Sequence, residues 1–280
     1  MQTRMLRGGC FLCLLLVTAA GPEERTRSRR SNEQTEIIIL GTLHEFHDQC
    51  PLYSRDILRD IIISVRPALV LYEMPAMLDG QPTLVDGRID ARFHDNESVA
   101  ANQAADSLDI RLAPYDIEGR NEFYAETRYF EREERTFQDL RQWGDQSAGE
   151  TEKSLRTIVT SDLFNSIQQA QIDLVMRSGP TVINSPAFDS IVRSKHCIVY
   201  EVWRQLLLAD GEEFLAGELG FFKQEWDSRN RAMASNIENI AKEHRGARIV
   251  VLCGAEHRNE LTGLLRRGEH LEVREYYEVE

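Results

Sequence analysis

Past its opening residues the chain has no apolar run long enough to concern a membrane, and its cysteines are few. Beyond residue 20 only Cys50, Cys197 and Cys253 remain, an odd and widely spaced set that makes no disulfide framework. At most one bridge is open to them. Basic residues are in the minority: 33 Lys+Arg against 46 Asp+Glu give a formal net charge of -13, which on average repels a phosphate backbone. No nucleic-acid-binding signature is present either, so nucleic acid is not an expected partner. No repeat of solenoid period appears. What the chain does have is an ordinary globular balance, 42% hydrophobic and 28% charged, which excludes disordered, collagen-like and coiled-coil chains.

The opening has three parts. Met1 to Gly9 carries Arg4 and Arg7 with no acid, Cys10 to Ala20 is apolar, and Thr18-Ala19-Ala20 ends the run with small side chains. This is the layout of a secretory signal peptide, and the run is shorter than the ~20 residues a membrane-spanning helix needs. The expectation is export to a periplasmic or extracellular space with cleavage near Ala20 and no stable membrane span; without a genuine signal the protein is cytoplasmic. Residues Gly21 to Glu36 hold almost no apolar side chains and read as a flexible linker.

From residue 37 to 280 the pattern predicts a single α/β domain. Glu36 to Leu40, Ala68 to Tyr72, Ile110 to Tyr115 and Arg248 to Cys253 are short apolar runs, with helical spacing over Leu52 to Val65 and Asn96 to Leu108 between the first three. Continuous apolar character implies strands covered on both faces, and the strand-helix-strand order implies a mostly parallel central sheet flanked by helices. Residues 121–219 are rich in helix formers and charge and read as a helical insertion or cap between the two halves of the core. A long helix from Glu212 to about His244 leads back to the sheet; Arg258 to Arg267 and Leu271 to Tyr277 supply a last helix and strand.

Ligands of open parallel sheets bind beyond the carboxyl ends of the strands. Those positions hold Gly41-Thr42-Leu43-His44-Glu45, then Glu73, then Asp116, then Gly254-Ala255-Glu256-His257. Two imidazoles and a carboxylate at one sheet edge suit a divalent metal with positions open for water, or metal-free acid-base hydrolysis with one His as base. Gly41 and Gly254 let the chain turn off the strand and bring backbone N-H groups near a ligand. On the long helix, Trp226, Asn230, Met233 and Ile237 share one face, so Asn230 and its neighbour Arg229 fall on or beside a buried stripe and need polar partners. A carboxylate or a substrate oxyanion is the natural partner of Arg229. Asp116, Glu45, His47 and Glu256 read as solvated loop residues, and Cys253 as a buried apolar thiol.

Gly41-Thr42-Leu43-His44, Val70 to Met74, Asp227 to Ile237 and Val250 to His257 together resemble the superfamily that joins TraB/Tiki, ChaN-like and erythromycin-esterase-like proteins. The matches come in the family's order, at both ends of the chain beyond residue 20, and cover about half of it. The resemblance implies a split α/β core with its site at the two Gly-x-x-His turns. It implies His44, Glu73 and His257 as the central trio, supported by Arg229 and Asn230. In the Tiki branch these motifs go with metal-dependent peptidase activity, in the erythromycin-esterase branch with ester hydrolysis, and in the ChaN-like branch with haem or iron. The leading expectation is a metal-dependent hydrolase, most readily of peptide bonds, with His44, Glu73 and His257 holding a divalent metal ion and a peptide or small molecule as substrate. A haem- or metal-binding protein without turnover, and a metal-free esterase, are the alternatives.

Overall fold

The computed structural model describes residues 34–146 and 153–279. The expected signal peptide, and the linker up to residue 33, lie outside the described residues. The core is an α/β sandwich built on five strands: β1 (Thr35–Thr42), β2 (Leu69–Tyr72), β3 (Arg111–Pro114), β4 (Arg248–Gly254) and β5 (Leu271–Arg274). They run parallel in the order β3-β2-β4-β1-β5. The expected pairing of the two ends of the chain is therefore direct. β4 lies between β1 and β2, with Gly41 opposite Cys253 and Thr42 opposite Gly254.

Side chains of a strand alternate between its faces, and here each face feeds its own core. Ile38, Leu40, Val70, Tyr72, Val250 and Leu252 pack on one side with helices α1 (Arg55–Val65) and α2 (Asn96–Leu108). Ile37, Ile39, Leu69, Leu71, Ile249 and Val251 pack on the other with Met233, Ile237 and Leu261. That two-sided burial is why these strands read as unbroken apolar runs. Both flanking helices start at side-chain caps: Ser54 accepts from the Ile57 N-H and Asp95 from the Ser98 N-H. Between β2 and α2 the chain forms two short hairpins over residues 77–82 and 84–89, which the periodicity did not reveal.

Between Pro114 and Arg248 every element among the described residues is helical: α3 (Arg120–Thr127), α4 (Tyr129–Gln146), α5 (Lys153–Arg177), α6 (Pro180–Ile183), α7 (Pro186–Cys197), a π-helical turn over Ile198–Trp203, α8 (Arg204–Asp210) and α9 (Glu213–Glu243). These helices have a core of their own around Leu140, Trp143, Trp203, Leu207 and Leu219. At 31 residues, α9 is about 46 Å long and joins the two regions. Its first turns pack in the helical core through Leu215 and Leu219, its later turns on the sheet through Met233 and Ile237. Residues 226–230 fall at the join, beside the carboxyl ends of the strands. Helix α10 (Ala255–Leu265) follows β4 without a loop. Cys50, Cys197 and Cys253 are free thiols, and no helix among the described residues is long and apolar enough to cross a membrane.

Candidate active site

Glu73 leaves the end of β2 and meets partners from three distant segments. Its Oε1 accepts from Arg229 Nη2 at 2.6 Å and its Oε2 from the Gly254 N-H at 2.8 Å. Burial alone would raise its pKa. The neighbouring His257, the Arg229 charge and the Gly254 N-H outweigh burial and hold it at about 2, so Glu73 is a carboxylate at any working pH. Arg229 also makes a fork to Asp116, through Nε at 3.2 Å and Nη2 at 2.8 Å, and its Nη1 donates to His257 Nε2 at 3.1 Å. The Asp116 side chain is fully buried and accepts further from Arg120 and the Ile117 N-H. Asp116, read from sequence as a solvated loop residue, is thus the counter-ion that fixes Arg229. Of the five guanidinium N-H groups, those bonds leave one on Nη1 uncommitted among the described residues.

His257 sits in the first turn of α10 and is 6% exposed. Its Nδ1 pairs with Asn230 Oδ1 at 2.9 Å, and the Asn230 amide nitrogen donates to the Trp226 carbonyl at 2.8 Å. Because Nε2 faces the donor Arg229, the consistent assignment is a neutral ring with its proton on Nδ1. The pKa agrees: burial, helped by Arg229, outweighs the attraction of Glu73 and pushes it down to about 4. The Trp226 ring lies flat on His257 at 4.2 Å. Both ring nitrogens are engaged and one face is covered, so His257 and Asn230 position the centre from beneath.

His44 is the outward-facing member. Its backbone is left-handed, with φ of 51°, a conformation rare outside glycine that persists only when neighbours over-determine it. They do so here through α2. Glu97 Oε1 accepts both the His44 backbone N-H at 2.9 Å and the ring Nδ1 at 3.1 Å, and Asn96 donates to the His44 carbonyl at 3.1 Å. His47 Nε2 accepts from the preceding Leu43 N-H at 3.0 Å, while its Nδ1 meets the Tyr53 carbonyl. His47 is therefore buried and structural, not a solvated loop residue. The Glu97 hydrogen bond is the largest influence on His44; it and the surrounding carboxylates overcome burial and raise the pKa to about 9. Glu97, in turn held at about 2 against its own burial chiefly by His44, is a residue of this cluster that the sequence reading missed. Its signal was the acid in the first turn of a helix that opens at the sheet's carboxyl edge.

The two glycines act by close approach. A Cβ on Gly254 would stand 2.7 Å from His44 Nε2; one on Gly41 would stand 3.2 Å from both the Ala255 Cα and the Arg258 Cδ. Gly41 donates its N-H to Asn184 at 2.6 Å, so the backbone donor expected to face a ligand is used inside the fold. Glu256 accepts from Gln171 and Lys195 and pairs with His196, which pins α10 to α5 and α7; it too is no free loop residue. Glu45 is exposed and Cys253 is 1% exposed in the core.

His44, Glu73 and Arg229 line one cavity of about 970 Å³. The trio expected to surround a metal does not share that space in a liganding arrangement. Glu73 and His257 approach to 3.6 Å, but the Arg229 guanidinium stands between them and their neighbours, occupying the position of positive charge. Among the described residues no group of three or more His, Cys, Asp or Glu is spaced to hold a metal ion. Comparison of the chain with family models, with curated proteins and with solved structures finds no match.

Proposed function

We propose that this protein is a hydrolase of carboxylic ester or amide bonds in which His44 activates water without a bound metal. What supports the reading is one observation: Glu97 holds the His44 ring by Nδ1 while Nε2 lies against Gly254, on the wall of a cavity shared with Glu73 and Arg229. A base oriented through its far nitrogen is the usual arrangement for general base catalysis. Water held between His44 Nε2 and Glu73 attacks the carbonyl carbon, its proton passing to Nε2. The remaining Nη1-H of Arg229 is the donor available to the oxyanion. Collapse breaks the bond to the leaving group, which takes the proton back from His44. The resemblance to the erythromycin-esterase-like proteins points to the same class of reaction.

A bound metal or haem is the competing reading, and the residues present do not fit it. A first-row metal held by His44, Glu73 and His257 together would need a lone pair from His257, whose Nε2 already receives Arg229, and a haem iron ligated through His257 would need that ring clear of Trp226. The test is turnover of p-nitrophenyl acetate and a peptide panel by the wild type and His44→Ala. The expected loss is about 10²- to 10⁴-fold, with wild-type activity unchanged by EDTA. Full activity in His44→Ala would end the base assignment, and loss with EDTA reversed by zinc would restore the metal reading.

A further inference from the structure

The chain has three tryptophans, and all three, Trp143 from α4, Trp203 from the π-helical turn and Trp226 from α9, line a single cavity of about 850 Å³ in the helical region. Tyr129, Phe137, Phe164 and Tyr200 add further rings to its wall. Phe164 packs on Trp203 at 4.7 Å, and the edge of His196 meets Trp226 at the same distance. Protein interiors close-pack and leave few voids larger than a water, whereas a volume of this size, with aromatic rings on several sides and polar side chains such as Arg141, Asp162 and Gln168 on the rest, falls in the range of small-molecule sites.

The cavity adjoins the site already described. Tyr129, Glu133 and Trp226 line both this volume and the one that holds His44, Glu73 and Arg229. Trp226 is the partition, with His257 stacked on its ring and His196 edge-on to it. The charges near the partition favour a neutral occupant against Trp226: Lys195 and His196 are both committed to Glu256, burial raises the Glu133 pKa, and Arg141 shares the cavity lining with Asp145 and Asp162.

We propose that this cavity seats a neutral aromatic ring of the substrate, on the far side of Trp226 from the bond that is cut. Aromatic faces and edges on several sides favour a ring over a flexible alkyl chain, because stacked and edge-to-face contacts add to simple burial. This inference rests on the hydrolase reading and names its substrate class: esters or amides bearing a bulky aromatic group.

The experiment uses the full chain and three probes. 2-Acetonaphthone, a ketone that cannot be hydrolysed, should quench the intrinsic tryptophan emission in a saturable titration. p-Nitrophenyl 2-naphthylacetate should be hydrolysed with kcat/KM at least about ten-fold above p-nitrophenyl acetate, the scale on which apolar pockets discriminate, mainly through KM. Gly144→Leu fills the cavity from the last turn of α4, where the nearest atom to an added Cβ is Ser161 Oγ at 4.0 Å, and replaces glycine with a better helix former. It should keep its far-ultraviolet circular dichroism, weaken the ketone at least about ten-fold and abolish the ester preference. Hydrolysis of both esters at equal kcat/KM with no quenching leaves the hydrolase reading standing and overturns this one. Saturable quenching lost in Gly144→Leu, with neither ester hydrolysed, does the reverse. Quenching and preference that survive Gly144→Leu unchanged also refute the cavity.

Discussion

Replacing Glu97 with Gln removes one charge and leaves an amide oxygen within reach of the His44 backbone. In the wild type, the Glu97 hydrogen bond is the main reason the His44 pKa stands at about 9. At pH 7 such a base is about 1% neutral, so kcat/KM should climb about ten-fold per pH unit and level off only above pH 9. Without the carboxylate the pKa falls toward the ordinary histidine value of about 6.5, and about three quarters of the ring is neutral at pH 7. The acid limb therefore moves by roughly two units toward acid, while the plateau drops because the base is weaker and less well oriented. The two profiles cross: Glu97→Gln is the faster enzyme near pH 6 and the slower one near pH 10. The sign of the stability change follows the same pair. With the folded pKa of His44 raised, its contribution is complete below pH ~6.5 and is lost as pH climbs through about 9; Glu97, depressed to about 2, contributes above pH ~4.5 and is lost below it. The assays are kcat/KM from pH 5 to 10 for both proteins, and the His44 Cε1-H resonance followed over the same range. An acid limb that stays in place on substitution, or a wild-type His44 resonance titrating near 6.5, would refute the reasoning.

Gly254→Ala should push the His44 ring off Glu97, since the added Cβ stands 2.7 Å from Nε2. A displacement of that kind costs on the order of 10²-fold in kcat/KM, and the melting temperature should move little by comparison. Arg229→Met leaves the buried Glu73 carboxylate without its cation and Asp116 with Arg120 alone, a loss of about 3–5 kcal/mol in urea unfolding at pH 7. Without Arg229 the burial of Glu73 raises its pKa, so the deficit should shrink as pH falls and Glu73 protonates; a deficit under about 1 kcal/mol would show that the network carries little. His257, depressed to about 4 by burial, makes the wild type lose stability as pH falls from ~6.5 toward 4, by up to about 1.4 kcal/mol per pH unit. His257→Gln should flatten that slope in denaturation measured at stepped pH.

How far the site can be read from sequence depends on which level sets each residue. The strands were legible because burial on two faces leaves an unbroken apolar run: Ile37 to Leu40 feeds both cores in alternation, and no solvent-facing polar residue interrupts it. The long helix expected over Glu212 to His244 spans Glu213–Glu243, and its buried stripe brings Arg229 to the carboxylates of Glu73 and Asp116. The difference between the two Gly-x-x-His turns, which read as a matched pair, was not legible. After Gly41 the chain enters a tight turn with His44 left-handed, so its ring faces out to the cavity. After Gly254 it runs straight into α10, and the same spacing sends His257 inward beneath Trp226. Identical spacing on paper yields one exposed base and one buried neutral ring, because the backbone that follows differs. Glu97 showed only as an acid in the first turn of α2, because its contact with His44 exists only once α2 packs against the His44 turn.

An arginine at the centre of the site has a consequence that a metal there would not have. Guanidinium stays charged at every accessible pH, and the Asp116 fork holds it in one orientation. Glu73 is thereby locked as a carboxylate, with its pKa near 2, and His257 as a neutral ring, with its pKa near 4. Of Glu73, His257, Arg229 and His44, only His44 has its pKa between 5 and 10. A site so arranged should show a single ascending limb in its pH profile instead of a bell, because no acid within it has a proton to lose on the alkaline side. A descending limb below pH 9 would mean that a second group shares the proton, and the assignment of both acid and base steps to His44 would then fail.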